Sequence, residues 1–444
     1  MSTASIKLWG ESVGAVTWLK DRGYAAFEYE PSFLAKGLDI SPIHLSLADG
    51  KAGTIFSFPY LDRETFRGLP GLLANSLPDD FGNKVIDSWL AKQGRQKGSF
   101  NPVERLCYIG TRGMGALDFI PSNAPNSLNN SVSIEVQKLL ELAQDVLSDR
   151  NHLDVRVDVA DQKKAEAMLD ILRVGVSAGG AVPKAVIAIN DEGHIVSGQV
   201  EAPEGYEHWI IKFDGISPDA REGLGRSTDS CRVEYAYYLM AKEAGIEMTE
   251  CRLLEENGRA HFMTKRFDRQ LNEKIHTLTL ASIGHLGWNP PGAVGYESAF
   301  MVMRTLRLPY IQQEQQFRRM VFNTITRNLD DHVKNISYLM DRSGRWQLSP
   351  AYDMTFSYNP DDGLGELHKM TINGRQDDFV FQDFIEVAYN MEINKAEQIV
   401  EEILDVVTRW PEFADQARVS PDTQKYIGDL HLGENSLDHS AKLR

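Results

Sequence analysis

The run Asn328-Leu329-Asp330-Asp331-His332-Val333-Lys334-Asn335 gathers two carboxylates, an imidazole, an ammonium and two amides into one short stretch. Asp330 and Asn335 have the Asp-x-x-x-x-Asn spacing with which a phosphoryl-transfer loop offers a carboxylate to an acceptor hydroxyl and an amide oxygen to magnesium. Asp353 comes in Ser349-Pro-Ala-Tyr352-Asp353, one expected hairpin later, where a hard cation would take a second oxygen ligand. Upstream, Lys212 sits inside the apolar run HWIIKF, and a cation there needs an anion. Glu234, opening the next expected helix, is the first plausible partner, and a strand lysine tethered by a helix glutamate suits nucleotide phosphates.

Each element also has a plainer reading. Asp330-Asp331 can be a solvated pair at a helix C-terminus, with Lys334 suiting the helix dipole. Lys212 can snorkel from a strand end, and Asp353 can cap a turn. Gly175-Val-Ser177-Ala-Gly179-Gly180 contains a literal G-x-S-x-G, which a hydrolase would place between a strand and a helix. The chain continues instead with Ala-Val-Pro and a β-branched strand bearing Lys184, so a glycine-rich loop approaching phosphates competes with a tight turn. The order of these pieces favours chemistry: glycine-rich loop, strand lysine, helix glutamate, Asp-x-x-x-x-Asn, hairpin and Asp succeed one another as an ATP-dependent phosphotransferase requires. In that reading Ser177, Gly179, Gly180, Lys184, Lys212 and Glu234 surround the phosphates. Lys265-Arg266-Phe267-Asp268-Arg269 becomes a hinge, with Lys265 beside the adenine pocket, Phe267 packing on the base and Asp268 reaching a ribose; a basic surface turn is the alternative. Asp330 orients or deprotonates the hydroxyl, Lys334 stabilises the transferring charge, and Asn335 and Asp353 hold Mg²⁺. His332 is grouped with the nucleotide contacts, with a structural role as its other reading. Asp331 keeps the identity of the base open, and spacing to Asn335 favours Asp330.

The scaffold must place these residues within 444 residues, 42% hydrophobic and 25% charged, a length that at about 150 residues per domain implies two to three domains. Disorder, fibres and disulfide scaffolds are excluded by composition. A formal charge of −16 disfavours stand-alone DNA binding. Three dispersed cysteines, Cys107, Cys231 and Cys251, show no metal-ligand spacing and suit a reducing compartment. The N-terminus lacks a signal-peptide pattern and no apolar window is long enough to span a bilayer, so a cytoplasmic protein is expected.

Alternation predicts strands within Ile6–Leu61 and at GALDFIP, with helices over Asn83–Gln93 and Pro102–Tyr108. The polar stretch Pro121–Ser131 is the linker candidate. Further helices are expected over Ser133–Leu147, Lys163–Leu172, Val233–Ala244, Gln312–Asn328 and Lys395–Val407. Strands are expected at Pro183–Asn190, His208–Phe213, Cys251–Leu254 and His261–Arg266, with a hairpin of NISYLM and RWQLSP and mostly helix from Leu278 onward.

These motifs resemble the HipA family of bacterial kinase toxins over nearly the whole chain. Leu77-Pro-Asp79-Asp80 and Ile109-Gly110-Thr-Arg-Gly-Met-Gly115-Ala-Leu resemble its N-terminal subdomain, Ser177-Ala-Gly-Gly-Ala-Val-Pro-Lys184 its glycine-rich loop, Ile210-Ile-Lys212 its ATP lysine, and Arg266-Phe267-Asp268-Arg269 its hinge. Asp330-Asp-His332-Val-Lys334-Asn335 and Ser349-Pro-Ala-Tyr352-Asp353 resemble its catalytic loop and metal aspartate, and Met370-Thr-Ile-Asn373-Gly374 a further signature.

The resemblance implies an α+β, two-lobed protein-kinase-like fold: an N-terminal β-rich subdomain (1–125), the rest of the N-lobe with the glycine-rich loop and ATP lysine (126–270), and a mostly helical catalytic lobe (271–444). It implies an ATP- and Mg²⁺-dependent serine/threonine protein kinase that arrests growth by phosphorylating a translation-related protein of the aminoacyl-tRNA synthetase class. It also implies inactivating autophosphorylation at Ser177, a helix-turn-helix antitoxin of the HipB type, and operator DNA reached only through that antitoxin. The rivals are a small-molecule kinase on the same scaffold, a catalytically silent regulatory partner and, with least support, a serine hydrolase using Ser177.

Overall fold

In β1 (Thr3–Leu8) the alternating Ala4, Ile6 and Leu8 point inward and are essentially unexposed, so a half-buried strand is the physical outcome of the sequence. The computed structural model describes residues 2–78, 80–92, 94–96, 98–148, 183–215, 229–358 and 366–437. The expected helix over 163–172, Asp79, and the glycine-rich run with Ser177, Gly179 and Gly180 lie outside the described residues.

β1 joins β2 (Glu11–Leu19), β3 (Tyr24–Tyr29), β4 (Ile55–Ser57) and β5 (Leu117–Ile120) in an antiparallel sheet of order β4-β3-β2-β1-β5. Helices α1 (Asp80–Lys92) and α2 (Pro102–Ile109) lie between its last two strands in sequence. The start of α2 is written locally: Asn101 accepts from the Glu104 amide at 3.1 Å, the Glu104 carboxylate accepts from the Asn101 amide at 2.9 Å, and Pro102 opens the first turn. Asn101→Ala is expected to lower stability by about 1 kcal/mol, read from a shifted denaturant midpoint at unchanged slope.

The linker candidate is partly packed. Residues Asn126–Asn129 form a short 3-10 turn, Leu128 is fully buried, and the Ile134 amide donates to the Ile195 carbonyl at 2.9 Å. Beyond it, α3 (Val136–Ser148) buries Val136, Leu139, Leu140 and Ala143, an i, i+3, i+4, i+7 stripe.

A second antiparallel sheet contains β6 (Lys184–Ile189), β7 (Ile195–Ser197), β8 (Glu207–Lys212), β9 (Cys251–Glu256) and β10 (Arg259–Lys265), in the order β7-β6-β8-β10-β9. Ala185, Ile187, Ile189, Trp209, Ile211 and Met263 pack its one face against α1 and α3. Alternation therefore sends Lys212 to the other face, in register with Lys184 and Phe262. That face meets α4 (Ser230–Glu243) through Cys231, Tyr238 and Phe262.

After the small ribbon β11 (Arg269–Gln270) and β12 (Glu273–Lys274), β13 (His276–Thr279) pairs with β14 (Ser337–Met340), which pairs with β15 (Trp346–Leu348). The expected helical region thus opens on a strand, because alternating Thr277 and Thr279 find the partner hairpin. The remainder is helical: α5 (Glu297–Thr305), α6 (Tyr310–Ile325), α7 (Phe381–Met391), α8 (Ala396–Thr408), α9 (Trp410–Ala417) and α10 (Pro421–Leu430), with shorter helical turns elsewhere. The large core runs without interruption from the first sheet through α4 into these helices.

Asp268 corrects the sequence reading. It is 1% exposed, accepts from Arg266 Nε and Nη2 at 2.8 Å each and from Arg269 Nη1 at 2.9 Å, and receives the Gly115 amide at 2.8 Å. Arg269 also donates to the carbonyls of Gly113 and Gly115. The carboxylate is consumed in fastening the second sheet to the first region, and no oxygen is left for a ribose. Burial pushes the Asp268 carboxyl up, but the two guanidiniums override it and hold it below the usual carboxylate range. Its stabilisation is complete above the unfolded aspartate value of about 3.9 and is lost as pH falls toward the depressed folded value. Asp268→Asn is expected to cost about 3–5 kcal/mol, because two buried guanidiniums lose their counter-charge, and thermal melts at neutral pH will show it.

Candidate active site

Lys212 ends β8 on the sheet face turned toward α4, and its Nζ lies 2.6 Å from Glu234 Oε1 and also donates to Asp353 Oδ1. Strand, helix and the segment after β15 thus converge on one ammonium. Burial alone would lower the Lys212 pKa; the carboxylates of Asp353 and Glu234 outweigh it and keep the side chain charged. Burial also pushes the Asp353 carboxyl up, yet Lys212 overrides it and holds Asp353 below the usual range. The charge of Lys184 acts in the same direction on Asp353, as its place beside Lys212 in the sheet requires. Glu234 remains above the ordinary range because its burial outweighs Lys212, so Asp353 is the firmer anion of the two.

Asp353 has φ +57°, an unusual conformation for a residue with a side chain and a local cost the surroundings must offset. The flanking chain is well held: the Ala351 amide donates to the Glu247 carbonyl at 2.8 Å, and Tyr352 donates its hydroxyl to the Lys334 carbonyl at 2.6 Å. Tyr352 therefore ties the Asp353 segment to the 330–335 loop.

In that loop the two aspartates part company. Asp331 is buried, accepting from the hydroxyl of Tyr296, Nδ1 of His368 and the amide of Lys369. The Asp330 side chain keeps 58% of its exposure, while its amide donates to Ser357 Oγ at 2.8 Å and its carbonyl accepts from Asn335 Nδ2 at 2.9 Å. The cleft wall raises the Asp330 carboxyl above its ordinary value; His332 and Lys369 oppose the rise and Asp353 adds to it. A half-exposed carboxylate with a raised pKa is suited to receive a proton, and a buried one saturated with donors is not.

Asn335 spends its amide nitrogen on the loop, which leaves the oxygen for a cation. Asn335 and Asp353 line the same internal cavity of about 20 Å³, together with His332 and Asn328. This is a hard-oxygen pair of the kind Mg²⁺ uses when phosphates and water complete its shell. Among the described residues no cluster of three or more His, Cys, Asp or Glu forms an all-protein metal cage.

The remaining expected residues divide. Phe267 packs on Tyr352 at 5.4 Å between ring centroids. Lys265 is turned to the ion pair with Glu207, where the end of β10 meets the start of β8. Lys334 Nζ stands 5.2 Å over the Trp288 ring, and Asp62 is held below the usual carboxylate range against its burial, mainly by hydrogen bonds from Thr65 and Glu64, with the Lys334 charge adding a smaller push. His332 Nε2 is 3.9 Å from Asp330 Oδ1. Sequence reasoning missed Tyr296, Trp288 and His368; their only signal is spatial. The three cysteines are free and buried, and burial pushes Cys107 up to about 11 and Cys231 and Cys251 to about 12, so none is a nucleophile at neutral pH.

The HipA-like C-terminal domain matches residues 176–410, and the HipA N-terminal domain matches residues 4–120. The chain belongs to the HipA family. A Haemophilus influenzae protein provisionally described as a kinase is 24% identical to this HipA-family chain over 273 residues, 54% of this chain and 74% of that protein. In fold, the chain resembles one from the Shewanella oneidensis MR-1 toxin–antitoxin complex of HipA, HipB and operator DNA, with TM-score 0.64 and 16% identity, over 98% of this chain and 95% of that one. Among the described residues of this HipA-family protein no helix is long and apolar enough to cross a membrane.

Proposed function

We propose that this chain is a Mg-ATP-dependent serine/threonine protein kinase with a two-lobed, kinase-like architecture, acting as the toxin of a toxin–antitoxin pair. The observation that carries the reading is the convergence of Glu234 and Asp353 on the Lys212 ammonium, next to a half-exposed Asp330. In line with it, Lys212 binds phosphate oxygens and Asp330 orients the acceptor hydroxyl and takes its proton. Asn335 and Asp353 would hold Mg²⁺, which supplies neutralisation of phosphate charge when bound. Family membership and a structural neighbour crystallised with HipB and operator DNA support a helix-turn-helix antitoxin as partner, with DNA reached through it. A translation-related protein of the aminoacyl-tRNA synthetase class is the proposed target. Ser177 is the proposed self-phosphorylation site, where nearly two added negative charges would repel nucleotide.

The deciding experiment is the intact mass before and after Mg-ATP, beside Asp330→Asn. Phosphate gained at Ser177 in the wild type alone supports the reading. No gain and no ATP consumption, with acceptor proteins present, overturns it. Asp353→Asn is expected to weaken Mg-ATP binding by roughly tenfold or more, the loss of one charge-assisted contact, measured by nucleotide titration across magnesium concentrations.

A further inference from the structure

The segment from His368 to Gly374 has no part in the chemistry above, yet its start is fastened to the catalytic loop through one carboxylate. Asp331 Oδ2 accepts from Tyr296 at 2.9 Å and from His368 Nδ1 at 2.8 Å, and Asp331 Oδ1 accepts the Lys369 amide at 2.8 Å. The Lys369 amide also faces the Leu329 carbonyl at 3.2 Å. His368 is fully buried, and because a carboxylate oxygen accepts from Nδ1, that nitrogen carries the hydrogen.

The Tyr296 hydroxyl in turn accepts from Asn323 Nδ2 at 2.9 Å, Asn323 Oδ1 accepts from Asn328 Nδ2 at 3.0 Å, Asn328 Oδ1 accepts from Ser357 at 3.3 Å, and Ser357 Oγ accepts the Asp330 amide at 2.8 Å. The relay leaves Asp331 and returns to its neighbour. Two backbone bonds brace it from outside, Tyr296 amide to Thr371 carbonyl at 2.9 Å and Thr371 amide to Val294 carbonyl at 3.0 Å. A buried carboxylate is costly unless its oxygens are saturated, and here they are, by three donors from two separate segments, Tyr296 and His368-Lys369.

Resting on the kinase reading, we propose that Asp331 is a positioning residue, coupled through His368 and Tyr296, that fixes the loop angle at which Asp330 meets the acceptor hydroxyl. Consecutive aspartates then divide the work, one facing the reaction and one anchoring it, and residues 368–371 serve as the anchor's abutment. The relay touches neither Lys212 nor Glu234 and meets Asp353 through its backbone, where Asn328 Nδ2 donates to the Asp353 carbonyl at 3.4 Å, so the Asp331 end of the relay is expected to govern kcat far more than nucleotide affinity.

The test measures phosphotransfer for Asp331→Asn, His368→Leu, His368→Asn and Tyr296→Phe, with active sites counted by nucleotide titration and folding checked by thermal melts. Misplacing a catalytic group by about 1 Å costs on the order of 10²-fold, and that loss in kcat per site is expected for Asp331→Asn and His368→Leu, with KM for ATP within about twofold. His368→Asn, whose amide N–H can stand in for Nδ1–H, is expected to recover most of the rate. Unchanged kcat per site with only a lower Tm would overturn the inference, as would equal loss in His368→Leu and His368→Asn. If Asp331→Asn does not fold, Tyr296→Phe decides, since it removes one donor at nearly constant volume: a several-fold fall in kcat supports the inference and an unchanged kcat overturns it. A wild type that transfers no phosphate sinks the kinase reading itself, and this inference with it; an active wild type with unaffected variants sinks this inference alone.

Discussion

Asp330→Asn is expected to slow phosphotransfer by about 10²–10⁴-fold, the usual contribution of a positioned acid–base group, while leaving Mg-ATP affinity nearly unchanged. The split arises from geometry, since Asp330 is held by its backbone and keeps its carboxylate half-exposed, while Lys212 is engaged by Glu234 and Asp353. Its raised pKa also sets a direction in pH. The carboxylate must be ionised to accept a proton, so activity falls as pH drops through its folded value, and that acid limb should lie above the ordinary aspartate value of about 3.9. A pH–rate profile measured with nucleotide saturating checks this. Retained turnover in Asp330→Asn would move the proton acceptor elsewhere in the loop.

Lys212→Met carries the second large effect, and it acts twice. Phosphate affinity should fall roughly 10–100-fold, the equivalent of one charge-assisted contact of about 1.5–3 kcal/mol. Stability should fall by about 3–5 kcal/mol as well, because Glu234 and Asp353 lose an ammonium they both contact; their side chains are 8% and 29% exposed. For Asp353 the sign with pH reverses relative to the wild-type site. Two facing carboxylates deprived of that ammonium favour a bound proton, so their folded pKa rises above the unfolded value and the variant loses further stability as pH rises. Denaturant titrations at about pH 5 and pH 8 separate this from a general loss of packing.

Half of the junction was legible from sequence because its logic is local in type: a lysine in an apolar strand needs an anion, and the next helix supplies Glu234; that Asp353 shares the same ammonium is a tertiary fact. The strand periods that carry it are equally plain, as Trp209 and Ile211 alternate with Lys212. Asp268 misled for the opposite reason. Nothing in Arg266-Phe267-Asp268-Arg269 announces that both arginines fold back onto the same carboxylate or that Gly115 arrives from far upstream. Phe267, in the same run, packs on Tyr352 instead, so neighbours within one turn meet quite different partners. Asp331 was a rival base in the sequence, and only the convergence of Tyr296, His368 and Lys369 gives it another role. The polar stretch 121–131 read as linker because Asn and Ser dominate it, while the single Leu128 that buries it is a tertiary fact.

The fastening of the first region to residues 266–279 also has a temporal meaning. Trp9 Nε1 donates to the Lys274 carbonyl at 2.7 Å, Asn75 Nδ2 to the Thr277 carbonyl at 2.9 Å, and the Gly115 amide to Asp268. Each closure spans well over a hundred residues, the kind of distant pairing that slows folding. As the chain leaves the ribosome, the first sheet is complete by residue 120 and already packs on α2 (Pro102–Ile109), yet the groups that fasten this region to the rest of the chain are not synthesised until residues 268–277. During that interval the donors of Trp9, Asn75 and Gly115 lack their native acceptors, and incompletely assembled regions of this kind are where nascent chains depend on chaperones. A fragment ending before residue 266 would remain in that state, with Trp9, Asn75 and Gly115 all lacking their native acceptors.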